Sequence, residues 1–171
     1  KKTRQRFSNI FSYAISRGLI EENPAYFLTD VFVITKKSKH HPQLPLEQLP
    51  ELLQKLENDK GYPITKLCTA FALHTFVRSS EFRFSRWNEF DLQKGLWTIP
   101  GEREFIPGQK FSNRGAKMKL NHLIPLSPQV INILKEIHPY SRMTKNVFPK
   151  NGDPQGFISE STINKTLRRI G

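Results

Sequence analysis

The run Leu73-His74-Thr75-Phe76-Val77-Arg78-Ser79-Ser80-Glu81-Phe82 sets an arginine at the end of an apolar helix and a carboxylate three residues later. Pro63 opens that helix, and Ile64, Leu67, Cys68, Phe71 and Ala72 fall on one face of it. Ser79 and Ser80 can cap a second, short helix from Ser80 to about Ser85, whose N-terminus favours anions. A guanidinium is a rigid fork that fits two phosphate oxygens and stays charged at any working pH. Glu81 is placed to steady that fork. The same two residues also fit an ordinary surface ion pair, worth ~0–1 kcal/mol, and Arg-x-x-Glu is a short pattern.

Downstream, the chain reads as a small sheet. Trp87-Asn88-Glu89-Phe90 and Leu96-Trp97-Thr98-Ile99 are expected as two strands, with Asp91 to Gly95 as their turn. Residues 101 to 121 form an irregular, basic, glycine-containing excursion. His122-Leu123-Ile124-Pro125-Leu126 reads as a third strand. Ser127-Pro128 is an N-cap with proline in the first helical position, and Val130, Ile131, Leu134 and Ile137 make the inner stripe of its helix. Tyr140 is expected after it, in a loop with His138-Pro139. Ser159 is a candidate cap for a last helix, with Ile163, Leu167 and Ile170 inward and Lys165, Arg168 and Arg169 outward. Trp87, Trp97, Phe82, Phe84 and Phe90 are read as packing of the sheet on helices rather than as a base-stacking platform.

Upstream, residues 2 to 17 read as a helix with Thr3, Phe7, Ile10, Phe11, Ala14 and Ile15 on one face and Gly18 as its left-handed cap. One helix cannot bury that stripe, so residues 1–34 are expected to end a helical domain whose earlier part is missing. Residues 35–45 hold three lysines and two prolines without an apolar period, as expected of a basic, extended linker or solvated loop. Residues 46–171 are the second domain, opening with a helix near Glu47 whose stripe is Leu49, Leu52, Leu53 and Leu56.

The 171 residues carry a net charge of +12 with 37% hydrophobic content, which describes a folded protein with a basic surface rather than a disordered tail. Such a charge favours a polyanion, nucleic acid first. The basic groups Lys1-Lys2-Arg4, Lys36-Lys37-Lys39, Arg114-Lys117-Lys119 and Lys165-Arg168-Arg169 are the candidate phosphate contacts; each also fits a solvated face. A single cysteine, Cys68, permits no intrachain disulfide and suits a reducing compartment. It is read as a core residue. The apolar runs are too short for a membrane span, and no membrane partner or signal peptide is expected. Adjacent His40-His41 diverge on an extended chain, His74, His122 and His138 lack metal spacing, no Asp-x-Asp pair suggests a two-metal site, and Gly101, Gly108 and Gly115 lie too far apart to cradle a phosphate. No cofactor and no metal are expected.

Several separated blocks, in order, resemble the tyrosine recombinase (phage integrase) family, in its prophage and genomic-island branch. They are Leu73 to Phe90, Leu96-Trp97-Thr98-Ile99-Pro100, Gly115-Ala116-Lys117-Met118-Lys119 and His122-Leu123-Ile124-Pro125-Leu126-Ser127. Tyr13-Ala14-Ile15 through Gly18 to Ala25 is similar to the end of that family's core-binding domain, and Ser159 to Gly171 to the helix before its second catalytic cluster. The resemblance implies a mixed fold, mainly α with a small three-stranded antiparallel sheet, preceded by the last helix of the core-binding domain. It implies that Arg78 clamps the scissile phosphate, that Glu81 orients Arg78, and that Lys117, with Lys119 as second candidate, protonates the 5′-hydroxyl leaving group. Lys117 alone also fits a plain phosphate contact. The implied reaction needs no metal and passes through a 3′-phosphotyrosyl link, on a double-stranded DNA attachment site, with self-association on DNA, in the bacterial cytoplasm.

The family pattern continues with His-x-x-Arg, a further His or Trp, and the nucleophilic tyrosine. Tyr13, Tyr26, Tyr62 and Tyr140 all lie upstream of where that tyrosine belongs. The expectation is a truncated recombinase that binds DNA weakly and does not cut it. A non-catalytic DNA-binding regulator and a basic protein-interaction module are the alternatives.

Overall fold

The computed structural model describes residues 2–28 and 43–171. The chain divides into two compact units, Lys1–Gln43 and Leu44–Gly171. In the first, α1 runs Lys2–Ser16. Gly18 takes φ +67, and the amides of Gly18 and Leu19 donate back to Ile15 O (2.9 Å) and Ala14 O (3.0 Å). This double bond pattern closes the helix as the left-handed cap requires. The apolar stripe of α1 stays open: Phe7, Ile10 and Tyr13 are exposed, and no residue of the helix is buried. The tie in this unit is polar. Asn23, buried, donates its Nδ2 to Ser8 O and Ser12 Oγ, while its Oδ1 accepts from the Ala25 amide.

The second unit begins with a 3-10 turn, Leu46–Gln48, that leads into α2, Leu49–Glu57; α3 follows at Pro63–Thr75 and α4 at Ser79–Arg83. Both Pro50 and Pro63 sit in first turns, where a missing N–H costs nothing. A three-stranded antiparallel sheet comes next, β1 (Phe90–Asp91), β2 (Leu96–Ile99) and β3 (His122–Pro125), in the order β1-β2-β3. Trp97 pairs with Phe90 on one side and Ile124 on the other. Then come α5 (Pro128–Ser141), a hairpin of β4 (Pro149–Lys150) and β5 (Asp153–Phe157), and α6 (Thr162–Ile170).

The core forms between α3, α5 and the inner face of the sheet. Phe71 on α3 meets Trp97 (5.5 Å between ring centroids) and Phe148 (5.2 Å) edge-on, while Phe90 stacks on Trp97 at 5.0 Å. Ile64, Cys68, Ile99, Leu134, Ile137 and Val147 complete it with no measurable exposure. Cys68, Trp97 and Phe82 are therefore packing residues, as expected.

Four local expectations are corrected. Trp87–Glu89 is a 3-10 turn rather than a strand, because Glu89 turns inward toward Trp97. Helix α5 runs through Pro139 instead of ending before it. Its last turn is held by Trp87 Nε1, which donates to Ser141 O from outside, and by the capping Arg142 amide, which donates to His138 O. The hairpin β4–β5 lies where no strand is expected, turning on Asn151-Gly152 with Gly152 at φ +75. Finally, α6 begins after Ser161; Ser159 Oγ accepts from the Ser161 amide outside the helix, and Thr166 is the residue it buries fully.

Candidate functional site

The site starts at the end of α3. Phe76 takes a left-handed conformation (φ 51) with its ring exposed, an unusual state for a bulky residue. That sharp turn stops α3 and places Arg78 as the N-cap residue of α4. Ser79 and Ser80, expected as caps, lie inside the first turn instead. The capping group is Glu81, whose Oε2 accepts from the Arg78 amide at 3.2 Å.

Glu81 does more than cap. Its side chain is 2% exposed. Oε1 accepts from the Arg78 guanidinium (3.3 Å) and from the backbone amide of Lys117 (3.3 Å). One buried carboxylate thus joins residues 39 positions apart to a single point. The Arg78 side chain remains 58% exposed, so its fork is steadied on one edge and open on the other. At that exposure the Arg78–Glu81 attraction itself adds little stability; its role is orientation.

Two adjoining clefts open there. One, of about 370 Å³, is lined by Arg78, Ser80, Asn113, Arg114, Lys117 and Lys119 among others. The second, of about 230 Å³, is lined by Arg78, Glu81, Lys117, Asn121 and His122. Arg78, Glu81, Lys117, Lys119 and Arg114 therefore line this pair of clefts together. His122, the first residue of β3, lines the second cleft as well. The arrangement offers several cations and backbone donors to one anion, with Glu102 also lining the first cleft. Among the described residues, no three of His, Cys, Asp and Glu gather where a metal ion could sit.

Other predicted contacts fall elsewhere. Lys165 and Arg168 are exposed on α6. Arg169 bonds Asp59 through Nε (3.0 Å) and Nη2, an ion pair that docks α6 beside the α2–α3 turn. Its side chain is 47% exposed and points outward on α6 as expected, with this pair on one edge. Arg4 is half-buried on α1. Lys36, Lys37 and Lys39, with residues 35–42 of the expected linker, lie outside the described residues; 43–45 carry no regular element.

The sequence reading missed Arg103. Its side chain is 1% exposed and donates Nε to Glu89 Oε1 (2.6 Å), Nη2 to Glu89 Oε2 (2.8 Å) and to Glu81 O (3.1 Å), and Nη1 to Arg114 O. Flanked by Glu102 and Glu104, it reads in sequence as part of a solvated run. The arginine alternating with acids 14 residues beyond Glu89 carries no periodic signal.

Residues 42–171 match the phage integrase family, and the chain belongs to that family. It is 42% identical to the IntB protein of Escherichia coli strain K12 over 170 residues, 99% of this chain and 43% of that protein. It is 40% identical to the integrase of Enterobacteria phage P4 over 171 residues, 100% of this chain and 39% of the relative. The chain thus spans about two-fifths of the length of these relatives. In structure it is similar to the Tn1549 transposon integrase, solved in complex with a circular intermediate DNA (TM-score 0.77, 17% identity, 98% of this chain and 55% of that one). It is also similar to the lambda integrase, solved as a tetramer bound to a Holliday junction (TM-score 0.65, 16% identity, 98% and 43%). These likenesses bear on the fold, including the mixed, mainly α architecture with its small antiparallel sheet.

Proposed function

We propose that this chain carries the phosphate-clamping part of a site-specific DNA recombinase. Arg78 grips two non-bridging oxygens of the scissile phosphate. Glu81 fixes the guanidinium, and the Lys117 ammonium gives its proton to the 5′-oxygen as its bond to phosphorus breaks, so that it leaves as a hydroxyl. The observation that carries this reading is the single Glu81 carboxylate accepting both from Arg78 and from the Lys117 amide. Preorganised cations of this kind stabilise charge that grows on a phosphoryl group in the transition state, and losing one donor costs ~10²–10³ in rate. Arg114 and Lys119 in the cleft, and Lys165, Arg168, Arg4, Lys36, Lys37 and Lys39 outside it, then contact flanking phosphates and set register without reading sequence.

The family's His-x-x-Arg cluster and nucleophilic tyrosine have no counterparts among these residues, so this chain alone binds duplex DNA without cutting it. The longer protein would form the 3′-phosphotyrosyl link and assemble with further copies on DNA. The test has two arms. The 171-residue chain should bind a mixed-sequence duplex with an affinity that falls steeply with salt, and leave the strands intact. The longer protein should form a covalent adduct on a nicked attachment site, lost with Arg78→Ala. Binding indifferent to salt, or an adduct undiminished in Arg78→Ala, overturns the reading.

A further inference from the structure

The β2–β3 excursion, residues 100 to 121, has no regular structure along most of its length, yet it must deliver Lys117 to a fixed place beside Arg78. Three contacts do this. The Ala116 amide donates to Pro100 O at 2.8 Å. Gly115 lies so close to Pro100 and Gly101 that any side chain there would collide with the Pro100 carbonyl. The third contact is Arg103, which belongs to the excursion itself and whose amide donates to Asn113 O at 3.0 Å.

The guanidinium of Arg103 reaches three separate segments. It takes both oxygens of Glu89, whose side chain is 6% exposed and whose Oε2 also accepts from Trp97 Nε1. It donates to the carbonyl of Glu81, in the helix that Arg78 precedes as N-cap residue. It also donates to the carbonyl of Arg114, three residues before Lys117. A buried ion pair of this kind adds little net stability over an apolar pair of the same shape. A planar fork of donors, however, fixes the angle of every group it binds. Lysine, a point charge on a flexible stem, cannot hold three segments at once.

We infer that Arg103, locked by Glu89, is the positioning residue of this site: it fastens the lysine-bearing excursion to α4 so that Lys117 and Arg78 face one phosphate. This rests on the phosphate-facing role proposed for Lys117. Arg103 touches no phosphate, since its side chain is buried.

Salt dependence of DNA binding distinguishes positioning from mere folding. Each phosphate contact contributes about one unit to the slope of log affinity against log salt. Partial unfolding lowers the competent fraction and leaves the slope unchanged. The 171-residue chain is titrated with a mixed-sequence duplex over a range of salt, as wild type, Lys117→Ala, Arg103→Lys and the double variant. Lys117→Ala should lower the slope by about one. Arg103→Lys should lower it by at least that amount despite the buried position and unchanged formal charge, since Arg114 and Lys119 ride on the same excursion, and the double variant should match Arg103→Lys alone. A wild-type slope in Arg103→Lys, or losses that add in the double variant, overturns the inference. A wild-type slope in Lys117→Ala instead overturns the role given to Lys117. Should Arg103→Lys not fold, Glu89→Gln, which removes the charge that locks the fork and keeps its shape, is judged by the same two outcomes.

Discussion

At Glu81 one side chain settles three donors from two residues. Its two oxygens accept from the Arg78 amide, the Arg78 guanidinium and the Lys117 amide. In Glu81→Ala both part-buried amides lose their acceptor, and a donor left unsatisfied costs ~1–3 kcal/mol. Urea unfolding should show a loss of that size, where a plain surface Glu→Ala change would cost a few tenths. Residues at this scale were legible to the extent that their chemistry lies in one run. Arg78 and Glu81 lie three residues apart on the chain and announce each other. Lys117 lies 36 residues beyond Glu81, and only the order of blocks shared with a family points to it. Arg103 was invisible, because nothing in Glu102-Arg103-Glu104 tells a buried fork from an exposed charge. Its burial is decided by where Glu89 ends up, which depends on the whole sheet.

Among elements, clear periodicity translated into structure and prolines obscured it. Helices α2, α3 and α5 begin where proline and apolar spacing place them, and β2 pairs with β3 as their alternation suggests. Pro149 and Pro154 hid the β4–β5 hairpin, although Asn151-Gly152 is a strong turn signal. The hairpin matters because it carries Phe148 and Ile158 into the core, and Ile158 O accepts from Arg83. Helix α6 depends on charge as much as on Leu167 and Ile170. The hydrogen bond from Arg169, opposed by burial, holds the Asp59 carboxyl below its ordinary range. A carboxyl so depressed stabilises the fold above its unfolded value of about 4, and the gain fades as pH falls through the folded value. Asp59→Asn should therefore melt below wild type at neutral pH. The gap should close in thermal scans taken at progressively lower pH below about 4; a gap that persists there would remove the ionised pair as its cause.

Over the whole molecule, a net charge of +12 coexists with a dry aromatic core. Among the described residues no helix is long and apolar enough to cross a membrane. Cys68 sits in that core with no exposure, and burial pushes its thiol well above the ordinary range. A thiolate-seeking reagent at neutral pH should leave the native chain unmodified over hours and label it promptly in denaturant. Fast labelling without denaturant would mean that α3 is not packed as described. The contact of Pro100 and Gly101 with Gly115 and Ala116 has a practical outcome as well. The stretch from Phe105 to Phe111 hangs beyond a neck that is already shut, and closure entropy rises only slowly with length. A reporter peptide spliced between Ile106 and Gln109, or a shorter turn grafted there, would dangle outside the neck and leave the spacing of Arg78 and Lys117 as it stands.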